Sequence, residues 1–218
     1  EEYQVAVEKG RMERELQMAH AVQASLLPDE TPQMPGWAFE ARWQPARQVS
    51  GDYYDFIALD GEQLGLVIAD VSDKGMPAAV FMALTRSTIR ATASHLLSPA
   101  DSISEANRLI CADSADGMFV TLFYALLDPS SGELTYVNAG HNPPLLCRAG
   151  EHGEAGRLAE LRPTGMALGV VEDCALTQRT VHLQPGDSVL LYTDGVTDAT
   201  DGGLQCFGLD RLRRVILD

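Results

Sequence analysis

LGLVIADVSDKGMPAAVFMALTRSTIRATASH, residues 64–95, is the stretch that decides the fold. Its first eight residues are apolar on both faces, as in a strand buried between two layers. The run carries Asp70 at its end, and Val71-Ser72-Asp73-Lys74-Gly75 then turns the chain into an Ala- and Met-rich segment with helical spacing. Pro77 suits the first turn of that helix. A carboxylate at the end of a buried strand is costly unless something compensates its charge. One stretch therefore marks a strand-to-helix boundary and a candidate site.

Upstream, YYDFIAL at 53–59 reads as a second strand, joined to the first by the hairpin signal Asp60-Gly61-Glu62. WAFEARWQPA at 37–46 alternates as a third strand would. Residues 3–27 read as one helix, with Val5, Met12, Ala19 and Leu26 recurring every seven residues and Leu16 and Val22 widening the stripe. Gly10 weakens it, and Pro28, Pro32 and Pro35 stop it, so DETPQMPG reads as a hinge or boundary. Such a helix docks on its own domain or pairs with a second copy as a short coiled coil. The expected division is residues 1–30 as a linker or dimerisation helix and 31–218 as the main domain.

Downstream, Ser98-Pro99-Ala100-Asp101 opens a second helix to about Ala112, with Ser98 as its N-cap. MFVTLFYALLD and GELTYVNAG form a hairpin around Pro129-Ser130-Ser131-Gly132, and PPLLCRA adds a strand. AGEHGEAGR at 149–157 is a polar loop. TQRTVHL and PGDSVLLYTDG give two more strands, and FGLDRLRRVIL a final helix. Many antiparallel strands with helices set in pairs predict an α+β layered sandwich.

Composition excludes several classes. The 218 residues fit one domain with an appendage, and 22% charged against 45% hydrophobic residues argues against disorder. No apolar run approaches the roughly 18 residues a membrane helix needs. The N-terminus is polar and unlike a signal peptide, so a cytoplasmic protein is expected. The chain opens on Glu1 rather than Met, as expected of a piece of something longer. Cys111, Cys147, Cys174 and Cys206 are widely spaced, which argues against a disulfide framework or structural zinc. The net charge of −15 repels phosphate backbones and anionic lipid, so neither nucleic acid nor membrane is an expected partner. Acidic groups do bind divalent cations, although solubility alone accounts for the total.

Three aspartates stand out by position. Asp70 ends LGLVIAD, Asp194 ends VLLYTD before Gly195, and Asp52 sits in Ser50-Gly51-Asp52 just ahead of YYDF. Each signal alone is weak, since Asp-Gly is a common turn. Together they place carboxylates at the ends of apolar strands, and carboxylates converging on one point need a cation. Mg²⁺ and Mn²⁺ take carboxylate, carbonyl and water oxygens.

The segments SGDYYDF, LVIADVSDKGMPAAVFMA, TLFYALLDPSSGELTYVNAGHNPPLL, TGMALGV and PGDSVLLYTDGVTDATD resemble, in order and spacing, the bacterial SpoIIE-like branch of the PPM (protein phosphatase 2C) family of serine phosphatases. The AVQASLLP helix resembles that family's lead-in. The resemblance implies a four-layer αββα sandwich of two antiparallel sheets and a centre of two Mn²⁺ or Mg²⁺ ions. Carried over, Asp70 would bridge both ions, Asp52 and the Val71 carbonyl would complete one site, and Asp194 would bind the other. A metal-activated water would then hydrolyse a phosphoserine or phosphothreonine on a regulatory protein, typically an anti-sigma-factor antagonist. Asp55, Asp73, His141 and Asp198 are candidates to support these ligands. His141 reads either as a general acid or as a hydrogen-bonded residue holding its turn. Lys74 reads as a solvated side chain or as a contact for phosphate. An upstream sensor or receiver domain and a homodimer through the first helix are the expected partners.

The chain departs from the family pattern in three places. No Asp-Asp-x-Thr segment follows the last helix, so the C-terminal end reads as incomplete and one ion short of a ligand. Ser50 stands where the family has Gly, and Asp73 where it commonly has Gly in Asp-Val-Ser-Gly-Lys-Gly. Asp tolerates the left-handed conformation that this turn asks for. The alternative function is a pseudophosphatase that binds phosphoprotein without turnover.

Overall fold

In a computed structural model of the chain, residues 2–46, 48–95, 98–114, 117–150, 156–203 and 205–217 are described. Helix α1 (Glu2–Leu26) precedes strands β1 (Tyr53–Ala58) and β2 (Leu64–Val71), which a short 3₁₀ turn at Asp60–Glu62 connects. Helices α2 (Met76–Ala93) and α3 (Pro99–Asp113) follow, then strands β3 (Val120–Asp128), β4 (Glu133–Ala139), β5 (Leu145–Arg148), β6 (Arg157–Glu160), β7 (Arg179–His182) and β8 (Ser188–Leu190). The one-turn helix α4 (Asp194–Thr197) and helix α5 (Leu209–Leu217) complete the order.

The strands form two antiparallel sheets, β1-β2-β3-β4-β7 and β6-β5-β8. Strand alternation sends two sets of side chains in opposite directions. From the larger sheet, Tyr53, Val67, Ala69, Leu122, Tyr124 and Val137 pack against Phe81, Ile89, Ile103 and Ile110 of α2 and α3. Phe123, Ala125, Leu127, Leu134 and Tyr136 point the other way, onto Leu146 and Val189 of the second sheet. Leu145 and Tyr192 on the outer side of that sheet meet Leu212 of α5. The layers are therefore helices, sheet, sheet, helix, as expected. Fully burying a large aliphatic or aromatic side chain contributes about 1.5–3 kcal/mol, so these three clusters hold the layers in register.

Three local expectations are corrected, and one expected turn joins the two layers. Residues 37–46 form no strand beyond a bridge between Met34 and Trp37. Their alternation reflects anchoring: Trp37 and Phe39 pack on the inter-sheet core, and the Trp37 ring N–H donates to the Pro129 carbonyl at 3.1 Å. Strand β6 begins at Arg157, where a polar loop was expected; residues 151–155 of that loop lie outside the described residues. The strands flanking the Pro-Gly-Asp turn belong to different sheets, so this turn carries the chain between layers. Finally, Thr193-Asp194-Gly195 leads directly into the unexpected helix α4. The Ser98 cap is as expected: its hydroxyl accepts from the Asp101 N–H.

At its C-terminal end α1 docks through buried Gln23 and is followed by buried Leu27, while Val5, Met12 and Val22 are exposed. Among the described residues no helix is long and apolar enough to cross a membrane.

Candidate metal centre

Asp70 pairs with Thr121 across β2 and β3. It shares its face with Leu66 and Ile68, which pack on the core between the sheets, so its carboxylate lies on the side turned to the second sheet. Beyond it the Val71 N–H donates to the Gly51 carbonyl at 3.3 Å, and the Ser72 N–H to the Phe119 carbonyl at 2.9 Å. These bonds lay the Gly51 backbone over the end of β2. A Cβ at Gly51 would stand 2.8 Å from the Val71 carbonyl oxygen and 3.3 Å from Asp70 Oδ1, so only glycine fits without a shift. The turn that follows needs left-handed backbone twice, at Asp73 (φ +79°) and Gly75 (φ +80°). Asp73 adopts it with its Oδ1 accepting from the Lys74 N–H at 2.8 Å. The turn thus keeps its shape with aspartate in the glycine position.

Asp52 comes to the same end of the sheet. Its carboxylate accepts from the Ser50 hydroxyl at 3.2 Å, and the Thr193 hydroxyl lies near it, where it lowers the Asp52 pKa. A Cβ at Gly195 would lie 3.9 Å from Asp52 Oδ2, which places the start of α4 against Asp52. Asp194, exposed at the head of α4, adds its negative charge to both Asp52 and Asp70. Burial and these like charges push the Asp70 carboxyl up to about 7, opposed by Lys74. Burial is also the main cause that raises Asp52, with the two hydroxyls pulling the other way. The structure therefore brings Asp52, Asp70, the Val71 carbonyl and Asp194 into one mutually repelling group.

His141 lies behind this group rather than in it. It is 1% exposed, with Nδ1 2.9 Å from the Thr121 hydroxyl and Nε2 3.2 Å from the Tyr192 carbonyl. A carbonyl only accepts, so Nε2 carries the proton. Burial lowers the ring's pKa to about 4, so the ring is neutral and Nδ1 accepts from Thr121. Both nitrogens are engaged, which favours the reading as a residue that holds its turn. The ring ties the β3 residue opposite Asp70 to the segment that carries Asp194.

Asp55 is not brought to the group. It pairs with Val67, whose side chain faces the helices. Its carboxylate accepts from Arg90 Nε and Nη2 at 2.6 Å each and from the Tyr53 hydroxyl at 2.9 Å, with Arg86 3.8 Å away. This clamps β1 to α2. Asp198 is exposed at the C-cap of α4, where its N–H donates to the Asp194 carbonyl at 2.7 Å. Sequence reasoning missed Ser50, Thr193 and Thr121. Their only signal is that each hydroxyl sits beside, or pairs with, one of the aspartates.

Hard oxygen donors and clustered negative charge are the chemistry that Mg²⁺ and Mn²⁺ take, and the close Gly51 backbone leaves the Val71 carbonyl free of a side chain on that side. Among the described residues no three His, Cys, Asp or Glu side chains are grouped as the ligands of one metal ion would be. The donor set fits a divalent cation by charge and atom type.

Two facing antiparallel sheets between helices, with Asp52 and Asp70 at one end of neighbouring strands, are the architecture of a PP2C-type domain. The fold matches the SiaA-PP2C domain of Pseudomonas aeruginosa with a TM-score of 0.79 at 22% identity, over 98% of this chain and 84% of that one. The chain belongs to the SpoIIE family: the family model for stage II sporulation protein E matches residues 60–218. It is similar to protein IcfG of Synechocystis sp., 32% identical over 96% of this chain and 37% of the relative. It is also similar to the phosphoserine phosphatase RsbU of Bacillus subtilis, 33% identical over 87% of this chain and 55% of RsbU. The chain thus spans roughly a third to a half of the length of these relatives.

Proposed function

We propose that the chain is a metal-dependent protein serine/threonine phosphatase domain acting on a phosphorylated regulatory protein, of the kind that antagonises an anti-sigma factor. The carrying observation is that Asp52, Asp70 and Asp194 come to one sheet end, where burial and then the other two charges raise Asp70 to about 7. Similarity to a phosphoserine phosphatase supports the substrate class. In this reading Asp52, Asp70, the Val71 carbonyl and Asp194 would hold Mn²⁺ or Mg²⁺. When bound, the ions supply an activated water and neutralise phosphoryl charge. The protein's part is orientation. Ser50 fixes the Asp52 carboxylate, Gly51 keeps side chains off the Val71 carbonyl, and His141 keeps the Asp70 and Asp194 segments together. No protein nucleophile is required. The helix at residues 1–30 would join the domain at 31–218 to an upstream sensor or receiver domain and pair with a second copy, and the protein would work in the cytoplasm.

Phosphate release from a phosphoserine protein, with and without Mn²⁺, tests this reading. Mn²⁺-dependent turnover that disappears in Asp70→Asn is expected. No turnover in the full-length protein would favour the pseudophosphatase reading, to which the added charge of Asp73 at the turn also points.

A further inference from the structure

Gln23 is 3% exposed on α1, a helix whose other polar side chains mostly face solvent. Its amide makes two hydrogen bonds to the backbone of one distant residue. Nε2 donates to the Ser50 carbonyl at 2.6 Å, and Oε1 accepts from the Ser50 N–H at 3.0 Å. A primary amide is well suited to this, because it offers a donor and an acceptor side by side. Ser50 in turn holds Asp52 twice: its hydroxyl donates to Asp52 Oδ2 at 3.2 Å and accepts from the Asp52 N–H at 3.1 Å. Gly51, between them, is the residue packed against the Val71 carbonyl and Asp70. The same helix is braced nearby by His20, which stacks on Trp43 at 5.5 Å and donates to the Gln48 carbonyl at 2.7 Å. His20 grips the loop two residues before Ser50 and has no bond to Ser50 itself.

We infer that Gln23 is a positioning residue for the cation site: from α1 it fixes the Ser50 backbone and, through Ser50, the Asp52 carboxylate and the Gly51 approach to Asp70. Gln23 touches neither cation nor substrate. Its action runs through two hydrogen-bonded steps. Because coupling between sites is reciprocal, a cation bound at Asp52 must also tighten the docking of α1. This inference rests on the reading of the carboxylates as a Mn²⁺ or Mg²⁺ site.

Calorimetric Mn²⁺ titration of wild type, Gln23→Ala and His20→Ala, with melting temperatures taken without metal, tests it. Gln23→Ala is expected to weaken Mn²⁺ binding about tenfold, the low end of what partners of metal ligands contribute. His20→Ala loosens the same helix and is expected to leave the affinity within about twofold, even where it lowers the melting temperature as much. Hydrogen exchange supplies a second readout that a merely structural role would not move: Mn²⁺ should protect residues 20–27 in wild type and fail to do so in Gln23→Ala. Equal Mn²⁺ affinities in wild type and Gln23→Ala would overturn the inference and leave the phosphatase reading standing. Equal losses in Gln23→Ala and His20→Ala would overturn it too, reducing the contact to general support of the helix. A wild-type chain that binds no Mn²⁺ would overturn both.

Discussion

Arg90 grips both oxygens of the Asp55 carboxylate, Nε and Nη2 each at 2.6 Å, and so bolts an otherwise fully buried negative charge to helix α2. Removing one partner of a buried pair leaves the other uncompensated, which costs about 3–5 kcal/mol. Arg86 at 3.8 Å and the Tyr53 hydroxyl soften that loss. Arg90→Leu is expected to destabilise the fold by about 3 kcal/mol in urea unfolding. Its Mn²⁺ affinity, measured on the folded fraction, should equal that of wild type. A large loss of affinity would place Asp55 among the groups that support the metal.

Gly51→Ala tests the close approach over the end of β2. The added Cβ would meet the Val71 carbonyl oxygen at 2.8 Å and Asp70 Oδ1 at 3.3 Å, so backbone must move. Mn²⁺ affinity is expected to fall at least about tenfold with a stability loss of only about 1–3 kcal/mol. Unchanged affinity would separate Gly51 from the site.

The titration of Asp70 has a defined sign. Its carboxyl is raised to about 7 in the fold, against an ordinary value of 3.8. The protonated form therefore stabilises the metal-free fold fully below pH 3.8, and this contribution is lost as pH rises through 7. Metal-free Asp70→Asn should melt higher than wild type at pH 8 and close to it at pH 4. Mn²⁺ must displace that proton, so wild-type affinity should climb by up to about tenfold per pH unit below 7 and level off above. A flat affinity between pH 5.5 and 7 would contradict the assignment.

His141 titrates in the opposite sense. Its ring is held neutral, with a pKa of about 4 against 6.5 in an unfolded chain. As pH falls from 6.5 towards 4, the unfolded chain takes a proton that the fold refuses, and stability declines. His141→Gln should be less stable than wild type at pH 7.5, since it breaks the link between Thr121 and Tyr192. The difference should narrow by about 2 kcal/mol by pH 5, because only wild type carries this titration. Asp70 is present in both chains, so its contrary effect cancels in the comparison. Urea unfolding at the two pH values measures it.

Much of the site was legible because strand alternation is a rigid rule. Asp70 shares its face with Leu66 and Ile68, and that alone directs it to the side turned to the second sheet. The same rule read through the β1–β2 register would have sent Asp55, opposite Val67, towards the helices. Asp55 was a candidate to support the ligands because the face was not worked out. Residues 37–46 misled for a different reason: alternating aromatic anchors produce a strand pattern without a ladder partner. The hydroxyls of Ser50 and Thr193 carry no periodicity, and Thr193 meets Asp52 only through tertiary structure. The amide of Gln23 was hidden likewise, as an ordinary helix residue whose partner lies 27 positions away.

The place of α4 against Asp52 has a further consequence for how the domain comes into being. The two aspartates that would share the cations are 194 − 52 = 142 residues apart. During synthesis the first sheet can hydrogen-bond its β1–β4 core long before β8 and α4 emerge from the ribosome. A nascent chain at that stage presents Asp52 and Asp70 without their third partner. Tight capture of a cation becomes a late event, a closing stitch that rewards only chains whose second layer has already docked on the first.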